Sequence, residues 1–351
     1  MENALYRRNY SLDVARIVAV LAVLMIHCSA NFVANYPLFT SEFVFGNLFE
    51  SLSRLGVPLF LMISGSLFLD ERREFTLKSI LSKNVKSIAI ITIIWATVYS
   101  VVFNIIFPLL TGDAVSIKSV ISGMINGHFH MWYLYMIIGV YIITPFLKKF
   151  VCKENKGMVL FFIIISFCFR FLTPIINAMC ELGLNLSFIN KWVDKFHLGF
   201  FDGYITYFLV GWYIVHIGIK QKWLTYGMYF FGASALAFMV IFVHFTGDYN
   251  NVYQNIGAPV FVYSVSVFLA LNSINFNLKE KNAKKLVLFS KLTFGVYIIH
   301  VLVLSIFTKI FPYSNYCVLY IVLRFAIVVC ISFFISYIIS KIPMLKRIIK
   351  A

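Results

Sequence analysis

The chain has 351 residues, of which 61% are hydrophobic and only 13% charged, and it carries a net charge of +16. A soluble domain is roughly half apolar and a quarter charged, so this composition excludes a soluble globular protein: the apolar surface exceeds what one core can hide, and lipid must solvate it. The positive balance does not point to a nucleic-acid partner either, because the basic residues sit in short loops between apolar segments, where they report membrane topology.

A helix needs about 20 apolar residues to cross the hydrocarbon layer. Segments of that kind lie near 12–33, 50–69, 86–108, 131–147, 158–177, 204–219, 223–245, 256–275, 289–311 and 315–340. They predict an all-α, polytopic transmembrane helical bundle of about ten spans. The whole of 1–351 reads as one membrane domain, because the longest gap, around 178–203, is too short for a soluble one. The second, fourth and sixth segments are short or polar-edged, and no internal repeat is evident. Arg7 and Arg8 followed by an apolar run that ends in Cys28-Ser29-Ala30 superficially resemble a signal peptide. Asp13 and Arg16 interrupt that run, which favours an uncleaved first helix.

Loop charge orients the spans. One alternating set of loops and span ends holds 22 Lys and Arg residues, and the other holds 4, namely Lys118, Lys191, Lys195 and Lys309. The positive-inside rule places the richer set, and both termini, in the cytoplasm of a multi-pass protein of a cell membrane. The six cysteines contain no CxxC pair, so neither a disulfide framework nor a metal site is indicated.

Charges inside spans are costly, at roughly 2.5–3.5 kcal/mol each near the bilayer centre. Arg170 and Arg324 read as snorkelling cations or structural ion pairs. The first helix carries more. Arg16 and His27 are eleven residues apart, close to three full turns, so they share a face and are separated by about 16 Å along the axis. Asp13, one turn before Arg16, can pair with it. A cation at the inner mouth and an imidazole farther out suggest a path from an anionic donor to an acceptor hydroxyl, with the imidazole as general base. A hydrogen-bonded core histidine is the simpler alternative.

In the second segment, Arg54 lies near the outer end, level with His27, and could face the acceptor side. Pro58 can kink the helix, and Ser64-Gly65 permits close helix approach. The following basic loop includes Lys83 and Lys86, which could attract either anionic lipid or donor phosphates. His128-Phe129-His130 opens the fourth span; its HxH spacing lacks further ligands, so metal is not assigned. Trp132 and Tyr133 suit an interfacial belt, and His130 could point toward an outer cavity near His27. His300 lies within the ninth span, and His216 reads as interfacial.

These motifs, in this order, resemble the acyltransferase family 3 membrane proteins. The run YSLDVARIVAVLAVLMIH is similar to the family's first helix, in which an arginine and a histidine flank ten residues, as Arg16 and His27 do. SRLGVPLFLMISG resembles its second helix. Lys83-Asn84-Val85-Lys86 stands where many members have RxxR, HMWYL at His130–Leu134 resembles HxWFL, and YIIH at Tyr297–His300 resembles a late Tyr/His segment. The layout is most similar to the enterobacterial common antigen O-acetyltransferase branch, which lacks a fused esterase-like domain.

The resemblance implies a bacterial inner-membrane enzyme. It would move an acetyl or other short acyl group from cytoplasmic acetyl-CoA to a hydroxyl of an envelope sugar, polysaccharide or lipid-linked glycan, with no bound cofactor. It implies His27 as the catalytic residue and Arg16, Lys83 and Lys86 as donor-binding residues. Lysine keeps the charge of the family's RxxR arginines but loses their bidentate grip on phosphate. Asp13, Arg54, Ser64, His130, Trp132 and His300 are expected in supporting or acceptor-side positions. A polysaccharide or lipid-linked glycan exporter of similar layout is the alternative.

Overall fold

The computed structural model describes residues 8–73, 75–199, 201, 203–312 and 317–349. Among them there are helices and no strands. In chain order the main helices are α1 (Tyr10–Asn35), α2 (Ser41–Ser53), α3 (Gly56–Phe68), α4 (Leu77–Thr111), α5 (Ile117–Asn126), α6 (Trp132–Phe150), α7 (Lys156–Glu181), α8 (Ser187–Lys195), α9 (Gly203–Ile217), α10 (Lys222–Thr246), α11 (Ala258–Ser273), α12 (Glu280–Ile310) and α13 (Cys317–Lys341).

Among the described residues, eight segments are long and apolar enough to cross a membrane: Tyr10–Asn35, Ser41–Phe68, Leu77–Thr111, Ile117–Phe150, Lys156–Glu181, Lys222–Thr246, Glu280–Ile310 and Val318–Lys341. The protein is therefore a multi-pass membrane protein. The other two predicted spans correspond to shorter apolar helices, α9 and α11.

Helix ends follow local chemistry. The Asn9 side chain caps α1 by accepting from the Ser11 amide at 3.0 Å, and Thr40 caps α2 by accepting from the Phe43 amide at 3.3 Å. Gly247, with φ of 72°, ends α10 in the left-handed conformation that costs glycine little.

Two boundaries differ from the sequence reading. The break in the second segment falls at Arg54-Leu55, ahead of Pro58. Pro58 sits in the first turn of α3, where its missing N–H costs no helical bond. Lys83 and Lys86, expected in a loop, stand on the opening turns of α4, which starts at Leu77 and passes through a π-helical turn at Ile80–Val85.

The chain gathers into two compact units. One comprises Met1–Asp70, Val151–Thr293 and Tyr313–Phe325; the other comprises Glu71–Phe150, Phe294–Pro312 and Ala326–Ala351. In the first, α1 packs on α2 and α3, α3 on α9, and α10 on α11. The α3/α9 crossing is backbone against backbone. A Cβ on Gly65 would lie 1.8 Å from the Phe208 carbonyl oxygen, and one on Gly211 would lie 1.9 Å from that of Met62. Small residues thus set the helix separation, as Ser64-Gly65 predicted. In the second unit, α4 packs on α5 and α6.

Candidate active site on the first helix

Helix α1 runs unbroken from Tyr10 to Asn35, so the predicted face exists on one continuous element. Arg16 and His27 are both partly exposed, whereas Val20 and Val23 between them on that face are buried. The result is a cation and an imidazole at the two ends of an apolar strip.

Asp13 is buried, with 1% exposure, and it accepts from four donors. Arg8 grips it with both Nε, at 2.6 Å, and Nη2, at 2.8 Å. Ser290 of α12 donates at 2.6 Å, and Arg16 Nη1 approaches at 3.3 Å. The predicted Asp13–Arg16 pair is present, but the tighter, forked contact goes to Arg8. These three charged side chains leave one net positive charge, and the side chain of Arg16 keeps 28% exposure. Such a group can receive an anion. The sequence reading missed Arg8 and Ser290, because neither lies at helical spacing from Asp13.

Beyond His27, α1 is fixed by two buried polar contacts. Arg324 of α13 is 2% exposed and donates to the Cys28 carbonyl at 3.4 Å. Its guanidinium lies 5.8 Å from the Tyr320 ring. That burial rules out snorkelling for Arg324, whereas Arg170 is exposed. Ser29 Oγ lies 2.8 Å from the Glu50 carboxylate of α2. Glu50 in turn holds Arg54 in an ion pair. The Arg54 guanidinium stacks 4.5 Å from the Tyr253 ring and donates to the Tyr253 carbonyl at 3.2 Å. The Tyr253 hydroxyl meets Asn47 and lies 3.0 Å from Ser51. Arg54 is thus committed to a buried network. Glu50 and Tyr253 were missed, although the i,i+4 spacing of Glu50 and Arg54 was a readable signal. Ser64 is half-buried on α3, next to the Gly65 crossing.

His130 and His300 belong to the second unit and His27 to the first. Within the second unit, His130, His300, His128, Tyr99 and Tyr297 form one cluster. The His130 ring lies 5.4 Å from His300 and 4.8 Å from Tyr99, and its Nδ1 is 3.2 Å from that of His128. Tyr297 donates to the His130 carbonyl at 2.6 Å, and His300 Nδ1 meets the Tyr297 carbonyl at 2.5 Å.

Tyr99 is a wedge. Its hydroxyl donates to the Ile298 carbonyl at 2.7 Å and accepts from the Leu302 amide at 3.2 Å, standing between an i,i+4 pair in α12. Trp132 is 38% exposed. Lys83 and Lys86 are exposed on α4. Among the described residues no group of three or more His, Cys, Asp and Glu side chains could hold a metal ion. His216 donates to the Ser66 carbonyl at 2.8 Å, a contact between α9 and α3.

The described residues thus form a polytopic helical membrane protein whose first helix carries a cation and a histidine on one face. The chain belongs to the acyltransferase 3 family, whose model, described as an acyltransferase domain, matches residues 9–341. No curated protein and no solved structure matches it.

Proposed function

We propose that this protein is an O-acyltransferase of a bacterial cell membrane. It would move acetyl, or another short acyl group, from cytoplasmic acetyl-CoA to a hydroxyl of an envelope sugar, polysaccharide or lipid-linked glycan. The observation that carries the reading is the Arg16/His27 face on one unbroken helix, in a chain whose family domain covers nearly its whole length. Arg16, held by Asp13, receives a donor phosphate; Lys83 and Lys86, exposed on α4, are donor-binding cations by the family resemblance.

His27 accepts the proton of the acceptor hydroxyl as its oxygen attacks the thioester carbonyl. The C–O bond forms, the C–S bond breaks, and the imidazolium returns the proton to the departing CoA sulfur. Direct transfer is the simpler course; an acyl-histidine intermediate is the alternative. The ten apolar segments and the loop charge support ten crossings with both termini cytoplasmic. The order of its motifs supports a membrane enzyme like those of the enterobacterial common antigen branch.

The test is reconstitution with labelled acetyl-CoA and envelope glycan extract. Label should enter glycan with the wild type and be lost with His27→Ala, by a factor of roughly 100 to 10,000. Donor binding should survive in that variant, and Arg16→Ala should weaken it. No incorporation by wild type, together with glycan export, would establish the exporter instead.

A further inference from the structure

The second unit contains a pocket of about 840 Å³ that none of the assignments above uses. Its size is in the range of small-molecule sites. One wall is α4, where a π-helical turn at Val102–Ile106 carries Phe103 and Asn104. The other wall is α5, and the end is closed by Gly127-His128-Phe129.

Helix α5 is amphipathic in an inverted sense. Ile117, Ile121 and Ile125, spaced four apart, are 76%, 52% and 68% exposed. Lys118, Ser122 and Asn126, on the neighbouring stripe, line the pocket. A helix against water would turn its isoleucines inward. This one turns its polar stripe over the pocket and leaves its apolar stripe for lipid, which is the habit of a helix lying in a membrane interface. It is tied down by Ser100, which donates to the Val120 carbonyl at 2.6 Å. Gly123 permits the approach: a Cβ there would lie 2.7 Å from Asn104 Nδ2 and from Ser100 Oγ.

The lining joins two chemistries. Phe103 stacks on Tyr99 with 5.9 Å between centroids and lies 4.5 Å from His128, which lies 4.6 Å from Phe129. The amides of Asn104 and Asn126 and the hydroxyl of Ser122 share the lining with these rings. Amides and hydroxyls both donate and accept, matching the hydroxyls of a sugar. Ring faces suit the C–H faces of a pyranose. Lys118 is the one lysine or arginine among the described lining residues, too little charge for a nucleotide's phosphates.

We infer that this pocket binds a pyranose unit of the acceptor glycan, presented at the membrane surface. The inference rests on the acyltransferase reading for the word acceptor, but not for the binding.

The full chain in nanodiscs is titrated with methyl β-glucopyranoside, methyl N-acetyl-β-glucosaminide and methyl β-glucuronide, and binding is followed by saturation-transfer NMR. At least one should bind the wild type, with affinity reduced about tenfold or more in Asn126→Leu, which loses paired polar contacts. Asn126 is exposed, so the variant should fold; unchanged acetyl-CoA binding checks that it has. Phe103→Ala should weaken the same probe. Failure of all three probes to bind the wild type, or equal affinity in Asn126→Leu, overturns the inference. So does loss of co-purified phospholipid alone, which would mark a lipid headgroup site. Pyranoside binding without acetyl transfer to any envelope extract would leave the pocket standing and remove the acyltransferase reading. Transfer with unchanged acceptor KM in both variants would do the reverse.

Discussion

Asp13 serves two guanidinium groups with one carboxylate, and the distances divide them unequally. Arg8 makes the forked contact at 2.6 and 2.8 Å, while Arg16 stands at 3.3 Å. Asp13 is therefore a positioning residue that anchors Arg16 without neutralising it. Asp13→Asn keeps the shape and removes the charge. Both arginines are partly exposed, so solvent screens much of the lost attraction. The donor KM should rise about threefold to tenfold while kcat falls less, since each tenfold is only about 1.4 kcal/mol. Steady-state kinetics at varied acetyl-CoA checks this; a variant that loses kcat alone would contradict the anchoring role.

Legibility in the sequence tracks the range of the contact at this scale. Arg16, His27 and Asp13 were readable because they share one helix, whose period is known in advance. Glu50 and Arg54 were readable in principle for the same reason. Arg324 meeting the Cys28 carbonyl, Ser290 meeting Asp13 and Tyr253 under Arg54 join positions more than 190 residues apart. Nothing in a single sequence encodes such pairings.

At the scale of elements, α3 and α9 cross where neither has a side chain. Gly65→Val requires the backbones to part, because even a Cβ would lie 1.8 Å from the Phe208 carbonyl oxygen. Overpacking of this kind should cost about 3 kcal/mol or more. Gly139, on α6, has nothing within 4 Å of its ideal Cβ, so Gly139→Ala should be neutral or stabilising by up to about 1 kcal/mol. Thermal unfolding of the two variants in one detergent gives the comparison, and equal stability would show that the crossing is looser than described.

The Tyr99 wedge makes a different demand. In Tyr99→Phe the Ile298 carbonyl and Leu302 amide can close their own helical bond, so stability should change by no more than about 1.5 kcal/mol. The Leu302 amide should stay protected from hydrogen exchange. Rapid exchange there would mean that α12 cannot heal. Sequence patterning located α12 but not this wedge, since Tyr99 looks like any interfacial tyrosine.

For the whole molecule, the open matter is how α9 and α11 relate to the bilayer. A 15-residue helix such as Gly203–Ile217 is about 22 Å long, and the 16 residues of Ala258–Ser273 give about 24 Å, against a hydrocarbon layer of about 30 Å. Both are among the most buried helices: Thr206 through Trp212 are all buried, as are most residues from Pro259 to Leu269. The long helices α7, α10 and α13 are by contrast largely exposed. A helix sheathed by its neighbours need not match the lipid thickness, because protein rather than hydrocarbon surrounds its polar ends. The periodic apolar runs made both helices visible in the sequence, while their shortness reflects a packing environment that composition does not reveal. If both cross, Asp194 and Lys220 lie on opposite sides of the membrane, and so do Asp248 and Asn275. If neither crosses, each pair shares a side. Single cysteines at these four positions, in a background with the native cysteines replaced, can be labelled with an impermeant maleimide. If both cross, Asp194→Cys and Asp248→Cys should react from one side of sealed vesicles, whereas Lys220→Cys and Asn275→Cys should react only after the vesicles are opened. Labelling of Asp194→Cys and Lys220→Cys from the same side would reduce the count and break the alternation of basic loops by which the positive-inside rule orients the chain.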